Sequence, residues 1–192
     1  GGTSDFSLVR LPPARARKSE RQHDILASGG VHVGGTDFDR LFSLASVMPL
    51  LGYRGQLHSG REMPSSIFFN LATWHTINSA YTRQSLTEQR RLANEAACAQ
   101  RAARLMTLLE TRAGHWLANE VEQAKIALSA QAAVKLGLDR LEAGLEVELE
   151  RAAFDEASAS LIARIETTVT GVLDAAGVRP AAVDTRFFTG VP

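Results

Sequence analysis

Residues 134–150 of this chain have the sequence VKLGLDRLEAGLEVELE, and this stretch decides the fold. Apolar side chains occupy every second position on both sides of a central turn, at Val134, Leu136, Leu138, Leu145, Val147 and Leu149. Glutamates alternate with the second apolar run, so one face of the pair is in water. Asp139 and Gly144 supply the turn signals between the two runs. The stretch therefore predicts an antiparallel β-hairpin over residues 133–149.

The segments before and after this hairpin have apolar residues at helical spacing. Between Ala99 and Ser129 they recur at three- and four-residue steps, which predicts one long amphipathic helix. A second helix is expected over residues 151–176, because the same spacing continues there and Gly177 stands where a helix-ending glycine belongs. We expect these two long helices to cover the sheet that contains the hairpin.

The ends of the chain add strands. Ser7 to Leu11 and Asp24 to Val33 are predicted strands joined by a loop over 12–23, and Val183 to Thr189 is a predicted final strand. A helix is expected to begin at Thr36 or Asp37. The order of strands, helices, hairpin, helix and strand predicts an α+β fold, because strands and helices do not alternate regularly.

Composition limits the classes of function. Lys and Arg total 21, as do Asp and Glu, so the zero net charge does not favour a nucleic-acid partner. No apolar run approaches the ~20 residues that a membrane span needs. The only cysteine, Cys98, permits no internal disulfide and favours the cytoplasm. The five histidines show no metal-ligand spacing, so no metal site is predicted.

A polar stripe on the long helix is the first candidate site. Glu122, Lys125 and Ser129 lie within about 60° of one another on a helix, well away from the apolar stripe of the same helix. Ile126 lies beside them, where an apolar side chain could contact a planar base. A surface Glu–Lys pair followed by a helix-ending serine has the same pattern, and the residues alone favour that simpler interpretation.

Two glycine pairs, Gly1-Gly2 followed by Thr3 and Gly34-Gly35, each border a predicted strand. Glycine allows the backbone to come close to a phosphate and leaves N–H groups free to bind it. Either pair alone is weak support for a phosphate site, because most such pairs are turns.

Together these segments resemble the DnaK-type 70-kDa heat-shock chaperones. The opening GGTSDFS is similar to their second phosphate loop, and GGTDFD at 34–39 is similar to their GGEDFD segment. EQAKIALS at 122–129 is similar to their adenosine-binding helix. RAAF at 151–154 is similar to the start of their next helix and FFTG at 187–190 to their last phosphate loop. MPLLG at 48–52 resembles the divergent YegD-like branch.

The resemblance implies the second lobe of an actin-like ATPase domain, in a fragment of a longer protein. Residues 1–35 and 151–192 would form a base subdomain, and residues 36–150 an outer subdomain. MgATP or ADP would be the ligand, with phosphates at Gly1, Gly2, Thr3 and Gly190, ribose at Gly35, Glu122 and Lys125, and adenine at Ser129 and Ile126. Gly34 would be a further nucleotide-binding residue.

Two functions follow as alternatives. The first is an ATP/ADP-binding lobe of an ATP-dependent chaperone-like protein, which moves in nucleotide exchange. Its expected partners are the first lobe of the same parent chain and exchange or co-chaperone proteins. We expect no hydrolysis by the chain alone, because the resemblance places the first-lobe lysine and the magnesium-positioning Asp outside it. The second alternative is a non-catalytic module for structure or protein interaction that has lost nucleotide binding.

Overall fold

A computed structural model describes residues 2–10 and 24–189 of the chain. They form two compact units: one contains residues 2–10, 24–34 and 160–189, and the other contains residues 35–159. No helix among the described residues combines the length and the apolar character of a membrane span.

The first unit is built on a pair of antiparallel strands, β1 (Ser4–Val9) and β2 (Ile25–Val31). Helix α6 (Arg151–Ala175) contributes its later residues to this unit, where Val172 is buried. A Cβ at Gly29 would lie only 2.9 Å from Cγ2 of Val172, so glycine allows the close approach of helix and strand. The predicted strands at Ser7 to Leu11 and Asp24 to Val33 are confirmed with shifted ends, whereas the loop 12–23 lies outside the described residues.

The second unit is mainly helical. Its elements are α1 (Gly35–Ser46), a 3₁₀ helix (Met48–Leu51), α2 (Ser66–Ala72), a 3₁₀ helix (Trp74–Tyr81), α3 (Arg83–Glu95), α4 (Ala99–Glu110), α5 (Gly114–Leu128), β3 (Ala133–Gly137), β4 (Glu146–Glu150) and the first residues of α6. Their apolar faces meet in one core that includes Phe42, Phe68, Leu105, Leu117 and Leu138. Phe154 of α6 joins this core through an edge-to-face contact with Phe42, with ring centroids 5.4 Å apart.

The hairpin forms as the alternation predicts. β3 and β4 pair antiparallel, with Val134 opposite Leu149 and Leu136 opposite Val147. Leu136 and Leu149 enter the core, whereas Glu146, Glu148 and Glu150 are exposed. The α+β class is therefore confirmed, since the described chain combines helices with two small antiparallel sheets.

The prediction of one helix from Ala99 to Ser129 is wrong. The chain turns after Glu110, where Arg112 adopts a left-handed φ of 51°, and α5 begins at Gly114. The apolar spacing continues across this turn because Leu109, Ala113 and Leu117 all enter the same core. Periodicity therefore did not indicate the break.

Two further expectations need correction. The strand predicted at Val183 to Thr189 does not form: these residues pair with no described strand, and Phe187 and Phe188 are 77% and 95% exposed. The 151–176 helix does form, but it does not cover the hairpin along its length, because its residues from Ser160 onward belong to the first unit.

Candidate functional site

Helix α5 presents the polar stripe on its outer face. Val121, Ala124 and Leu128 are buried in the core. Glu122 and Lys125 are partly exposed and Ile126 is 53% exposed, which is the separation of faces that the helical angles predict. Ser129 follows the last residue of α5 and is exposed. The stripe therefore combines charged, hydroxyl and apolar groups on one accessible surface.

Lys125 reaches across to α1. Its Nζ lies 2.6 Å from Oδ1 of Asp39, and each of the two side chains keeps only 20% of its accessible surface. Oδ1 of Asp39 is fully buried, so the contact is a close ion pair largely removed from water. The lysine is thus held beside the first turns of α1, the helix that begins at Gly35.

Three charges determine the electrostatics here. Burial raises the pKa of the Asp39 carboxyl, the adjacent Lys125 ammonium lowers this pKa, and the charge of Glu122 raises it. The net pKa lies above its ordinary value, because removal from water and the second carboxylate together outweigh the ion pair. Two carboxylates and one ammonium give the cluster a formal charge of −1, which does not favour a phosphate group.

Arg151 closes the end of α5, and its position beside the stripe was not predicted from the sequence. Its Nε donates to the carbonyl of Leu128 at 2.7 Å, and its Nη2 donates to the carbonyls of Ser129 at 3.4 Å and Gln131 at 2.9 Å. These contacts satisfy carbonyls that a helix end leaves unpaired. A basic residue directly after the hairpin was the only signal for this role in the sequence.

Ser129 adopts the arrangement of the simpler interpretation, whereas Lys125 does not. The Ser129 hydroxyl donates to the carbonyl of Ile126 at 2.6 Å, as a helix-ending serine does. Lys125, by contrast, pairs with Asp39 of another helix and not with Glu122 on its own helix. The stripe is therefore tied to α1 through its lysine.

The glycine positions are divided between the units. Gly35 is exposed at the start of α1, whereas Gly34 is buried in the first unit. Gly2 and Thr3, also of the first unit, are exposed, and the Thr3 hydroxyl donates to Oδ2 of Asp5 at 3.3 Å. Gly1 and Gly190, two of the proposed phosphate contacts, lie outside the described residues.

Two surface depressions occur away from the stripe. One of about 620 Å³ is lined by Arg83, Gln84, Thr87 and Glu88 of α3, and the other, of about 330 Å³, lies in the first unit beside Val31 and Arg164. Neither includes Glu122 or Lys125. No three His, Cys, Asp or Glu side chains converge as metal ligands within residues 2–10 and 24–189.

Comparison with protein families bears on this site. The structure is an α+β chain with a polar stripe on α5. The model of the Hsp70 protein family matches residues 96–190, just under half of the chain, and this match includes the whole stripe. It supports the Hsp70 family, whose members bind ATP or ADP with magnesium, and it suggests an ATP-dependent chaperone-like role.

Proposed function

We propose that this chain is an ATP- or ADP-binding lobe of an Hsp70-like chaperone protein, with the adenosine bound on α5. The observation that carries the proposal is the position of Lys125, whose ammonium lies beside the first turns of α1. This contact brings the stripe on α5 close to the helix that opens with the GGTDFD segment. The family match covers α5 independently of that geometry.

The charges of the stripe suit a ribose better than a phosphate. A ribose offers two neighbouring hydroxyls, each of which donates one hydrogen bond and accepts others. The Glu122 carboxylate accepts and the Lys125 ammonium donates, so the pair complements such a diol. A triphosphate would instead meet a cluster with a formal charge of −1.

The exposed side chain of Ile126 and the open backbone at Gly35 are the other two parts of the proposed adenosine site. Ile126 is 53% exposed beside Lys125, so its side chain is available to a planar base. A Cβ at Gly35 would meet no atom within 4 Å, and this residue has no left-handed φ, so packing within the chain does not require glycine there. A ligand that approaches the backbone closely would account for it. Ser129 is the proposed contact to the adenine edge.

The phosphate contacts are a separate proposal within the first unit. Gly2 and Thr3 are assigned to the phosphates by the resemblance, together with Gly1 and Gly190. Gly34 is assigned to nucleotide binding without a more specific contact. A Cβ at Gly2 would also meet no atom within 4 Å, which leaves room at its backbone. We further propose the actin-like second lobe, the YegD-like branch and the magnesium-bound nucleotide on the same basis.

Calorimetric titration of the full-length protein with ADP tests this function. We expect Lys125→Ala to weaken ADP by ~1–2 kcal/mol, about tenfold, because a charge-assisted contact to the ribose is lost. Lys135→Ala is the matched control: Lys135 is also ion-paired, to Glu146 at 2.8 Å, but it lies on the hairpin. Wild-type protein that binds no ADP would refute the proposal and favour a module without nucleotide function. Equal effects of the two variants would refute the placement of the site.

A further inference from the structure

Asp39 is the residue that fixes the lysine of the stripe. A lysine side chain on a surface helix samples many rotamers, and holding it in one of them costs conformational entropy. Here 80% of the Lys125 side-chain surface is covered, and its ammonium is 2.6 Å from a carboxylate oxygen of α1. The ammonium carries three donors, so the ion pair leaves donors for a second partner.

Glu122 is a second possible partner for the Lys125 ammonium, so the ion pair with Asp39 affects which groups remain free for a ligand. It precedes Lys125 by three residues on α5, a spacing at which Glu and Lys side chains pair readily on a helix. If Asp39 lacked its charge, Lys125 would turn to Glu122, and that pair would occupy both groups that face the proposed ribose. Within the described residues the Glu122 carboxylate forms no ion pair or hydrogen bond, so it stays available as an acceptor.

We propose that Asp39 is a positioning residue for nucleotide binding: it holds the Lys125 ammonium on the α1 side and keeps it from pairing with Glu122. This inference rests on the proposed function and names a residue that would not itself touch the nucleotide. Burial of Oδ1 supports it, because the oxygen that pairs with Lys125 is not accessible to a ligand. A raised pKa of the Asp39 carboxyl agrees with a charge held away from water.

The test measures ADP and adenosine affinity of the full-length protein and its Asp39→Asn, Lys125→Ala and double variants. We expect Asp39→Asn to weaken both ligands about tenfold, and Asp39→Glu to restore part of the loss. Because Asp39 acts through Lys125, the double variant should bind no more weakly than Lys125→Ala alone. Glu146→Gln, which breaks the Lys135 ion pair on the hairpin, is the control and should leave affinity unchanged.

A second measurement follows the lysine itself. Residues 1–192 contain three lysines, at positions 18, 125 and 135. After ¹³C-methylation of the amines, the NMR resonance of Lys125 is assigned by its loss in Lys125→Ala. In Asp39→Asn we expect the Lys125 resonance to move, because the ammonium leaves α1 for Glu122. It should move again when Glu122→Gln is added and removes that second partner; a resonance that Glu122→Gln does not affect would contradict the proposal. The resonance of Lys135 serves as the internal reference.

The outcomes separate the two proposals. If wild-type protein binds ADP and Lys125→Ala weakens it, while Asp39→Asn does not, the positioning role is refuted and the nucleotide site stands. Additive losses in the double variant would also refute it, since Asp39 would then act independently of Lys125. A fall in the melting temperature of Asp39→Asn without a change in affinity identifies a structural contact only. Absence of ADP binding in the wild-type protein would refute both proposals.

Discussion

The backbone N–H of Gly114 donates a 2.7 Å hydrogen bond to the phenolic oxygen of Tyr81. This bond joins the start of α5, where Gly114 is buried, to the end of the 3₁₀ helix Trp74–Tyr81. The first N–H groups of an α-helix have no partner within the helix, so Tyr81 supplies one of them. The position of α5, and with it the stripe, therefore depends on a residue from another part of the sequence.

Gly114→Ala should destabilise the second unit by more than ~2 kcal/mol, because the added methyl overpacks a filled space. A Cβ at this position would lie 2.7 Å from Cγ2 of Ile77 and would also clash with the Tyr81 oxygen. Gly171→Ala is the control: this glycine lies inside α6 with no atom within 4 Å of its Cβ position. That variant should gain ~0.5–1 kcal/mol from helix propensity. Urea unfolding followed by circular dichroism measures both, and equal effects would contradict the packing.

Tyr81→Phe should cost ~1 kcal/mol at neutral pH, because the Gly114 N–H loses its acceptor. The hydroxyl also gives a pH dependence. Burial raises the pKa of Tyr81 above 10.0, although the Gly114 N–H and Arg112 both lower it. Its contribution to stability is therefore fully present below pH 10 and is lost as the pH rises through the raised value. Urea midpoints at neutral and alkaline pH should show this loss in the wild type and a smaller one in Tyr81→Phe; parallel curves would contradict it.

Arg151→Ala should destabilise the second unit by ~1–2 kcal/mol, because three backbone carbonyls at the end of α5 lose a charged donor. Arg151→Lys should recover little, since an ammonium does not reproduce the planar set of guanidinium donors. Urea unfolding of both variants checks the first statement and their difference checks the second. Arg164→Ala is a control in the first unit, where this arginine contacts a single carbonyl, that of His32. Full rescue by lysine would show that charge alone matters at Arg151.

The sequence predicted correctly those elements that are determined by residues close together in the chain. The β3–β4 hairpin follows from alternation around Asp139 and Gly144, and Asp139 accepts a hydrogen bond from the Gly144 N–H within that turn. The start of α5 involves residues distant in the sequence, because Gly114 packs against Tyr81 and Ile77 with no room for a Cβ. No spacing within residues 99–129 carries that information.

In the candidate site too, the sequence predicted what depends on neighbouring residues and not what depends on tertiary packing. Helical angles alone placed Glu122, Lys125 and Ile126 on the outer face of α5, since a helix fixes those directions locally. The partner of Lys125 was not predicted, because Asp39 lies on α1 and meets it only through tertiary packing. Arg151 is a similar case, since its contacts with the end of α5 require the hairpin to bring the chain back.

The final prediction separates ribose recognition from phosphate recognition at the stripe. If Glu122 and Lys125 bind the ribose hydroxyls, 2′-deoxy-ADP should bind the full-length protein about tenfold more weakly than ADP, because a site built to bond a hydroxyl penalises its absence. Lys125→Ala should reduce this difference, whereas Lys135→Ala should leave it intact. Calorimetric titration of the three proteins with both nucleotides measures the ratio. A ratio that is the same in all three would show that Lys125 does not contact the sugar, and a ratio near one in the wild type would remove the ribose from the stripe altogether.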